Sequence, residues 1–210
     1  WTYGEFDRVV ARAATELASH GVGPGAAVHL ALANSPTFVA VWIATIRLGG
    51  WIVPSDPMGR SAEFEDHIER TGPVAGFFAQ ERATVYRAAA TDIALFPIDE
   101  ADVAFEWLPT QEFTEWPEPG LRDVAAVMFT SGTTGRPKGV VVSQANYAFA
   151  GKTMAEAAGL TSEDRYLVVL PMFHANAQYY SFAAAVWAGA SVALMHTFSA
   201  SGFLPQARRH

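Results

Sequence analysis

The sequence lacks cysteine and long apolar runs. With no cysteine among its 210 residues, the chain has no disulfide, no thiolate metal site and no thiol nucleophile. This composition fits a cytoplasmic protein, and we predict that location. The longest apolar region, residues 182–194, is interrupted by Gly189 and Ser191 and is shorter than a transmembrane helix requires. We therefore predict that no segment spans a membrane.

Positive charge is also scarce. The formal net charge is -7, whereas nucleic-acid binding usually requires a basic face, so we predict no nucleic-acid partner. A small polyanion remains possible, because one positive loop can outweigh the field of the whole molecule locally. The lysines are Lys138 and Lys152, and Lys138 lies in the most unusual segment of the chain.

Helical periodicity alternates along the chain with short apolar runs. Thr2 and Glu5 form a capping box ahead of the first helix, in which Arg12 and Glu16 are expected to pair across one turn. Similar reasoning predicts a strand over 124–130 and helices over 144–158 and 177–188, among others. The alternation predicts an α/β fold with a layered, mostly parallel sheet flanked by helices.

The chain divides at a Pro-rich connector. We predict a first α/β portion, the connector and a second portion carrying a Gly-rich loop, over residues 1–99, 100–119 and 120–210, with both portions in one larger domain. Trp107 and Trp116 are expected to anchor the connector, and the acidic positions within 99–118 are expected to face solvent. The sequence starts at Trp1 and stops in what reads as another helix, so we expect a longer open reading frame.

The Gly-rich loop is the strongest chemical signal. Residues 130–139 read TSGTTGRPKG, with glycines that let the backbone approach a ligand, four hydroxyl side chains and a terminal cation. These donors suit the oxygens of a polyphosphate. The loop is not the P-loop of NTPases, because Pro137 stands where that motif has glycine. A purely structural hairpin, with Lys138 in solvent, is the alternative.

Ser131–Gly139 resembles the signature of the acyl-adenylate-forming superfamily, which includes acyl-CoA synthetases, luciferases and peptide-synthetase adenylation domains. The resemblance implies a loop that wraps the β- and γ-phosphates of ATP, with Lys138 offsetting charge on the leaving pyrophosphate. The phosphate-binding residues so implied are Thr130, Ser131, Gly132, Thr133, Thr134, Gly135 and Lys138. It also implies that the chain is the incomplete N-terminal domain of a longer enzyme.

A second segment, Pro171–His174, closes a predicted strand, where α/β folds place ligand crevices. Its resemblance to acyl-CoA synthetases implies an acyl-substrate pocket formed by Phe173, His174 and Asn176. Peptide-synthetase adenylation domains usually carry aspartate at the position of His174, so the histidine disfavours an amino-acid substrate.

The residues that follow, 175–180 and 198–200, resemble crotonobetaine/carnitine-CoA ligase-like members. Gln178, Tyr179 and Tyr180 are equally interpretable as packing residues on a helix. The five other histidines show no metal-ligand spacing, and we predict no metal site; they are His20, His29, His67, His196 and His210.

The resemblance implies an ATP-dependent ligase, placed in fatty-acid metabolism, that takes a carboxylic acid, Mg²⁺-bound ATP and CoA. The full-length protein is expected to be active, and a homo-oligomer is one expected state. The 210 residues alone are expected to be inactive, because the family's later motifs and its C-terminal domain are missing from them. Two alternatives stay open: a non-catalytic nucleotide-binding module, and an adenylating enzyme with a different acceptor.

Overall fold

A six-stranded sheet organises the fold in the computed structural model, which describes residues 1–90, 92–130 and 137–209. The strands are β1 (Ala27–Ala31), β2 (Trp51–Pro54), β3 (Ala75–Ala79), β4 (Ala94–Ile98), β5 (Val124–Thr130), β6 (Lys138–Ser143), β7 (Arg165–Val168) and β8 (Ser191–Leu194). The helices are α1 (Tyr3–Ser19), α2 (Pro36–Arg47), α3 (Ser61–Thr71), α4 (Ala83–Arg87), α5 (Gln144–Ala158), α6 (Ala184–Ala188) and α7 (Ala200–Arg209), with a 3₁₀ turn at Gln80–Arg82 and a π-helical segment at Ala177–Ala183.

The sheet is mostly parallel, which confirms the predicted fold class. Its strand order is β4-β3-β1-β2-β5-β6, and every neighbouring pair is parallel except β5–β6. Strands β7 and β8 form a separate parallel pair. Strands β1 and β3 are buried along their whole length, as expected for a parallel sheet covered on both faces. Pro97 lies in β4, an edge strand, where a missing N–H is tolerated.

The first two helices begin at the capping residues that the sequence provides. The Thr2 hydroxyl accepts a hydrogen bond from the Glu5 backbone N–H at 3.2 Å, and the Glu5 carboxylate accepts one from the Thr2 N–H at 2.7 Å. This is the predicted capping box. Ser35 caps α2 with Pro36 at its first position. Both helices bury apolar side chains in the main core, so tertiary packing supports the local signals.

The predicted pair of Arg12 and Glu16 is wrong. The Arg12 guanidinium instead donates to three backbone carbonyls of the connector, those of Pro109 at 2.7 Å and of Phe105 and Leu108 at 3.2 Å each. Three fixed backbone acceptors stabilise a partly buried guanidinium more than one ion pair across a helical turn, which contributes little. Arg12 therefore ties the connector to α1.

The two connector tryptophans pack as well. Trp107 lies 5.7 Å from Phe77 between ring centroids, and Trp116 carries the Arg47 guanidinium 3.8 Å above its ring. Beyond the connector, β5 and β6 extend the sheet that the first half of the chain begins. The division into residues 1–99, 100–119 and 120–210 stays a prediction.

Within the part of the chain that the structure describes, no helix is both long enough and apolar enough to cross a bilayer.

Candidate functional site

The predicted phosphate-binding loop connects β5 to β6. Thr130 ends β5 and Lys138 begins β6; the two are register partners, and the Thr130 hydroxyl lies 3.5 Å from the Lys138 carbonyl oxygen. Both residues are exposed. The loop residues between them that were assigned to ATP lie outside the described residues; they are Ser131, Gly132, Thr133, Thr134 and Gly135.

The edge of the sheet at which the loop emerges is the one expected for a ligand site. Because β5 runs parallel to β2, Thr130 leaves the sheet at the same edge as the carboxyl end of β2. Open α/β sheets bind ligands outside the carboxyl ends of their strands. The exposed Thr130 hydroxyl and Lys138 can therefore reach a ligand at this edge.

A chain of hydrogen-bonded polar side chains, buried except for the partly buried His67, lies near the carboxyl end of β2. The His29 ring bonds the Tyr86 hydroxyl through Nδ1 at 2.6 Å and the Ser55 hydroxyl through Nε2 at 2.8 Å, and Ser55 also bonds His67 Nδ1 at 2.7 Å. Burial, with His67 nearby, lowers the pKa of His29 to about 3. Burial also lowers the pKa of His67. Both rings are therefore neutral near pH 7.

These four side chains, which we call the polar chain, were not predicted, because histidine spacing indicates metal ligands but not buried hydrogen-bond partners. A histidine inside the apolar run of β1 was the available signal, since a buried imidazole needs partners. Among the described residues, no group of three or more His, Asp or Glu side chains is placed to hold a metal ion.

The predicted acyl-pocket residues follow a tight turn after β7. The His174 backbone N–H donates to the Pro171 carbonyl at 3.0 Å, and the Phe173 and His174 rings are 4.2 Å apart. Phe173 is half-buried, while His174 and Asn176 are exposed. Their side chains are available to a ligand.

Asn34, three residues after the end of β1, holds this turn in place. Its side-chain amide nitrogen donates to the carbonyls of Leu170 and Met195, each at 2.9 Å, and its Oδ1 accepts from the Met172 N–H. The side chain thereby joins the ends of β7 and β8 to the main sheet. No local pattern around Asn34 indicates this role, because its partners are more than 130 positions away.

Gln178 supports the same turn from the π-helical segment. Its Nε2 donates to the Met172 carbonyl at 2.6 Å, and its Oε1 accepts from the Tyr147 hydroxyl. Gln178 is fully buried, so it is a packing residue rather than a residue of the acyl pocket. The predicted helix over 177–188 is π-helical up to Ala183, and π-helical turns are frequent at functional sites.

Glu100 corrects the expectation that the acidic connector faces solvent. Its side chain is only 10 % exposed, it accepts a hydrogen bond from the Ala33 N–H, and its Oε2 lies 4.0 Å from His196 Nε2. Burial raises the pKa of this carboxyl group. His196 Nδ1 is also 3.1 Å from the Asn34 carbonyl oxygen. Glu100, His196 and Asn34 thus form a polar cluster at the strand ends.

An apolar groove lies between β6 and the π-helical segment. It encloses about 390 Å³ and is lined by Val140, Val141, Val142, Asn146, Phe149, Ala150, Thr153, Met154, Tyr179 and Tyr180. Tyr179 and Tyr180 thus border a cavity. Of the predicted site residues that the structure describes, none lines this groove, and no hydrogen bond or ring contact joins the described Thr130 or Lys138 to Phe173, His174 or Asn176.

A larger groove, of about 480 Å³, lies beside the connector and is lined by Ile46, Arg47, Trp116, Pro117, Glu118, Pro119, Leu121, Gln144 and Ala148. None of the predicted site residues with described positions lines this groove.

Comparison with known proteins finds a family model that covers almost the whole chain. The family model described as "AMP-binding enzyme" matches residues 1–207. A crotonobetaine/carnitine-CoA ligase of Shigella flexneri serotype 5b is 32% identical over 225 residues, an alignment that covers 100% of this chain and 44% of that protein. The chain thus spans less than half the length of this relative.

Solved structures share the fold. ATP-bound MatB from Rhodopseudomonas palustris superposes with a TM-score of 0.87 at 23% identity, over 99% of this chain and 42% of that one. The O-succinylbenzoate coenzyme A synthetase MenE from Bacillus subtilis, in complex with AMP, gives a TM-score of 0.83 at 27% identity, over 100% of this chain and 53% of the other.

Proposed function

This chain belongs to the AMP-binding enzyme family, and we propose that it supplies the triphosphate-binding part of an ATP-dependent acid–CoA ligase. The observation that carries the proposal is the ten-residue segment 130–139, which connects β5 to β6 at the carboxyl edge of a parallel sheet. Its hydroxyls, glycines and lysine suit a polyphosphate, and the related ligase from Shigella flexneri supports the reaction class.

The proposed reaction has two steps. In the first, an oxygen of the substrate carboxylate attacks the α-phosphorus of ATP, the bond to the β-phosphate oxygen breaks, and acyl-AMP and pyrophosphate form. In the second, the thiolate of CoA attacks the acyl carbon, and AMP leaves with the bonding electrons. The products are acyl-CoA, AMP and pyrophosphate.

The phosphate-binding residues would act mainly in the first step. Negative charge builds on the departing pyrophosphate, and preorganised donors aimed at that charge lower the barrier. Lys138 would provide the positive charge, and Thr130, Ser131, Thr133 and Thr134 would provide hydroxyl and amide donors. Gly132 and Gly135 would let the backbone come close to the phosphate oxygens.

Phe173, His174 and Asn176 would border the acyl substrate. The turn that carries them is fixed from below by Asn34 and Gln178, so their side chains start from a defined backbone. Such preorganisation is what a binding site requires if its side chains are to stay close to productive geometry. A crotonobetaine- or carnitine-like acid is one candidate substrate, taken from the name of the relative.

Mg²⁺ would enter bound to ATP, and we assign no residue of this chain to it. Cytoplasmic location, homo-oligomer formation and a place in fatty-acid metabolism remain predictions. The same holds for the inactivity of the 210 residues by themselves.

The proposal is tested by carboxylate-dependent exchange of pyrophosphate into ATP, measured with the whole protein that contains this sequence. The acids should include short, medium, long and aromatic members, together with crotonobetaine and carnitine. We expect exchange with one class of acid. A folded protein that binds ATP but exchanges no pyrophosphate with any acid would instead be a non-catalytic nucleotide-binding module. Exchange without thioester formation from CoA would identify a different acceptor.

A further inference from the structure

One side chain of α3 contacts both ends of the phosphate-binding loop. Arg70 Nη1 donates a hydrogen bond to the Pro137 carbonyl at 2.8 Å, and the Arg70 guanidinium carbon lies 4.6 Å from the centre of the Phe129 ring. Phe129 is the last residue before Thr130 in β5, and Pro137 directly precedes Lys138 in β6. The two contacts therefore flank the predicted phosphate ligands on both sides.

Arg70 is itself fixed in position. The Asp66 carboxylate, one helical turn earlier, accepts a hydrogen bond from Arg70 Nη1 at 2.9 Å. The side chains of Arg70 and Asp66 are only 30% and 20% exposed. A planar guanidinium can donate several hydrogen bonds and lie against an aromatic face at the same time, which a lysine ammonium cannot. The orientation of Arg70 is therefore set by Asp66, Pro137 and Phe129 together.

The neighbouring residue His67 holds the same aromatic ring. The His67 and Phe129 rings stack at 3.9 Å between centroids with planes only 10° apart. His67 and Arg70 are three positions apart on α3 and so lie on the same face of the helix. His67 Nδ1 also bonds the Ser55 hydroxyl. The polar chain therefore ends at Phe129, next to the first residue of the loop.

We propose that Arg70 is a positioning residue for the phosphate-binding loop. By bonding the Pro137 carbonyl and covering the Phe129 ring, it fixes the two strand ends that carry Thr130 and Lys138, and so sets where these two side chains meet a triphosphate. The link from loop position to ATP use rests on the proposed function, whereas the anchoring itself does not.

Hydrogen exchange tests the anchoring without nucleotide. In the whole protein, Arg70→Ala should speed amide exchange in peptides covering residues 128–140 by roughly 3- to 10-fold, the scale of one charge-assisted hydrogen bond that is partly exposed. Arg60→Ala is the matched control: Arg60 lies just before the same helix, its side chain is 84% exposed, and it pairs with Glu63. Exchange of the 128–140 peptides should not change in that variant.

Kinetics separate positioning from a general loss of structure. Arg70→Ala should raise the KM for ATP by roughly 3- to 10-fold, lower kcat/KM for ATP by the same factor, and leave the KM for the acid unchanged. Arg70→Lys should recover part of both effects, because lysine keeps one donor for the Pro137 carbonyl but has no planar fork. If Arg70→Ala does not fold, Arg70→Lys is compared with wild type by the same criteria.

The outcomes distinguish the two proposals. Unchanged exchange at 128–140 in a folded Arg70→Ala protein overturns the anchoring role, even if the wild type is an active ligase. An equal fall in kcat with every KM unchanged also overturns it. If Arg70→Ala speeds this exchange but the wild-type protein has no ATP-dependent activity, the anchoring is supported and the proposed function is contradicted.

Discussion

The Met172 backbone N–H donates to Asn34 Oδ1 at 2.6 Å, across 138 positions of the chain. The Asn34 amide nitrogen meanwhile bonds two further carbonyls, and the residue is only 4% exposed. Every polar atom of this side chain is thus paired, and each of its partners belongs to the end of β7 or β8. The position of the Phe173–His174 turn depends on this residue.

Replacing Asn34 by alanine should lower the free energy of unfolding by about 2–4 kcal/mol. The substitution leaves a buried N–H and two carbonyls without their partner, and each unpaired group costs about 1–3 kcal/mol, less any relaxation. Urea unfolding measures the change. Asn176→Ala serves as the control, because Asn176 is exposed and should change stability by less than about 0.5 kcal/mol. Equal effects of the two substitutions would contradict the role of Asn34.

The two lysines of the chain allow a matched test of the phosphate loop. We expect Lys138→Ala in the whole protein to slow adenylation by roughly 10- to 1000-fold, the scale of losing one preorganised charge contact. Lys152→Ala should leave adenylation unchanged, because Lys152 lies on α5 and faces Glu156 at 3.9 Å. Both side chains are exposed, so neither change should unfold the protein. Adenylation at the wild-type rate in Lys138→Ala would remove Lys138 from the mechanism.

The free energy of unfolding should decrease as the pH is lowered, because His29 is buried in its neutral form. Its pKa in the folded protein is about 3, against 6.5 for an unperturbed histidine. Between these values the unfolded chain binds a proton that the folded chain does not, so the free energy of unfolding decreases as the pH falls below 6.5. The loss from this residue is about 2 kcal/mol at pH ~5.

The variant His29→Gln should reduce this dependence. Urea unfolding at neutral pH and at pH ~5 would show a smaller difference between the two conditions than in the wild type. Part of the slope should remain, because the pKa of His67 is also lowered by burial. The same slope in both proteins would mean that His29 is protonated in the folded state.

The substitution of glycine by alanine should have opposite effects in two helices. At Gly151 in α5, an added Cβ would lie 2.8 Å from the Ala183 carbonyl oxygen, so the helix and the π-helical segment must separate. We expect a loss of about 1–3 kcal/mol, despite the better helix propensity of alanine. Gly4 in α1 has open space around it, and Gly4→Ala should stabilise by up to about 1 kcal/mol. Thermal unfolding of the two variants compares them directly.

The sequence predicted those features that depend on near neighbours. The capping box of Thr2 and Glu5, the strand over 124–130 and the helix over 144–158 are all confirmed. Each rests on a hydrogen bond or a periodicity within a few residues, which local propensity and spacing describe well.

Features that depend on distant parts of the chain were not predictable. Arg12 was assigned to Glu16, one turn away, but it bonds carbonyls more than 90 positions later. Glu100 was expected in solvent, although it packs against Ala33 and His196. In both cases a tertiary contact outweighs the local expectation, and a single sequence carries no record of it.

The residues of the candidate site were likewise predictable only where a local motif marks them. A dense local motif identified residues 130–139, and Thr130 and Lys138 lie at a carboxyl edge as such a motif requires. The roles of Arg70, Asn34 and the polar chain were invisible, because arginine, asparagine and histidine occur at these positions without any pattern around them.

The contact between β2 and β5 has one register pair, Ile52 with Ala126, whereas β5 and β6 share six. Pro54, near the carboxyl end of β2, has no N–H to offer a neighbouring strand. The β5–β6 hairpin therefore shares few backbone hydrogen bonds with the other four strands, and its attachment depends mainly on side-chain packing in the core and against α3. In a partial unfolding, we expect the hairpin to detach as one cooperative unit while β1 and β3 remain paired. The element that presents the loop would then be the least stable part of the sheet, and a ligand that bridges the loop and the other strands would raise its stability.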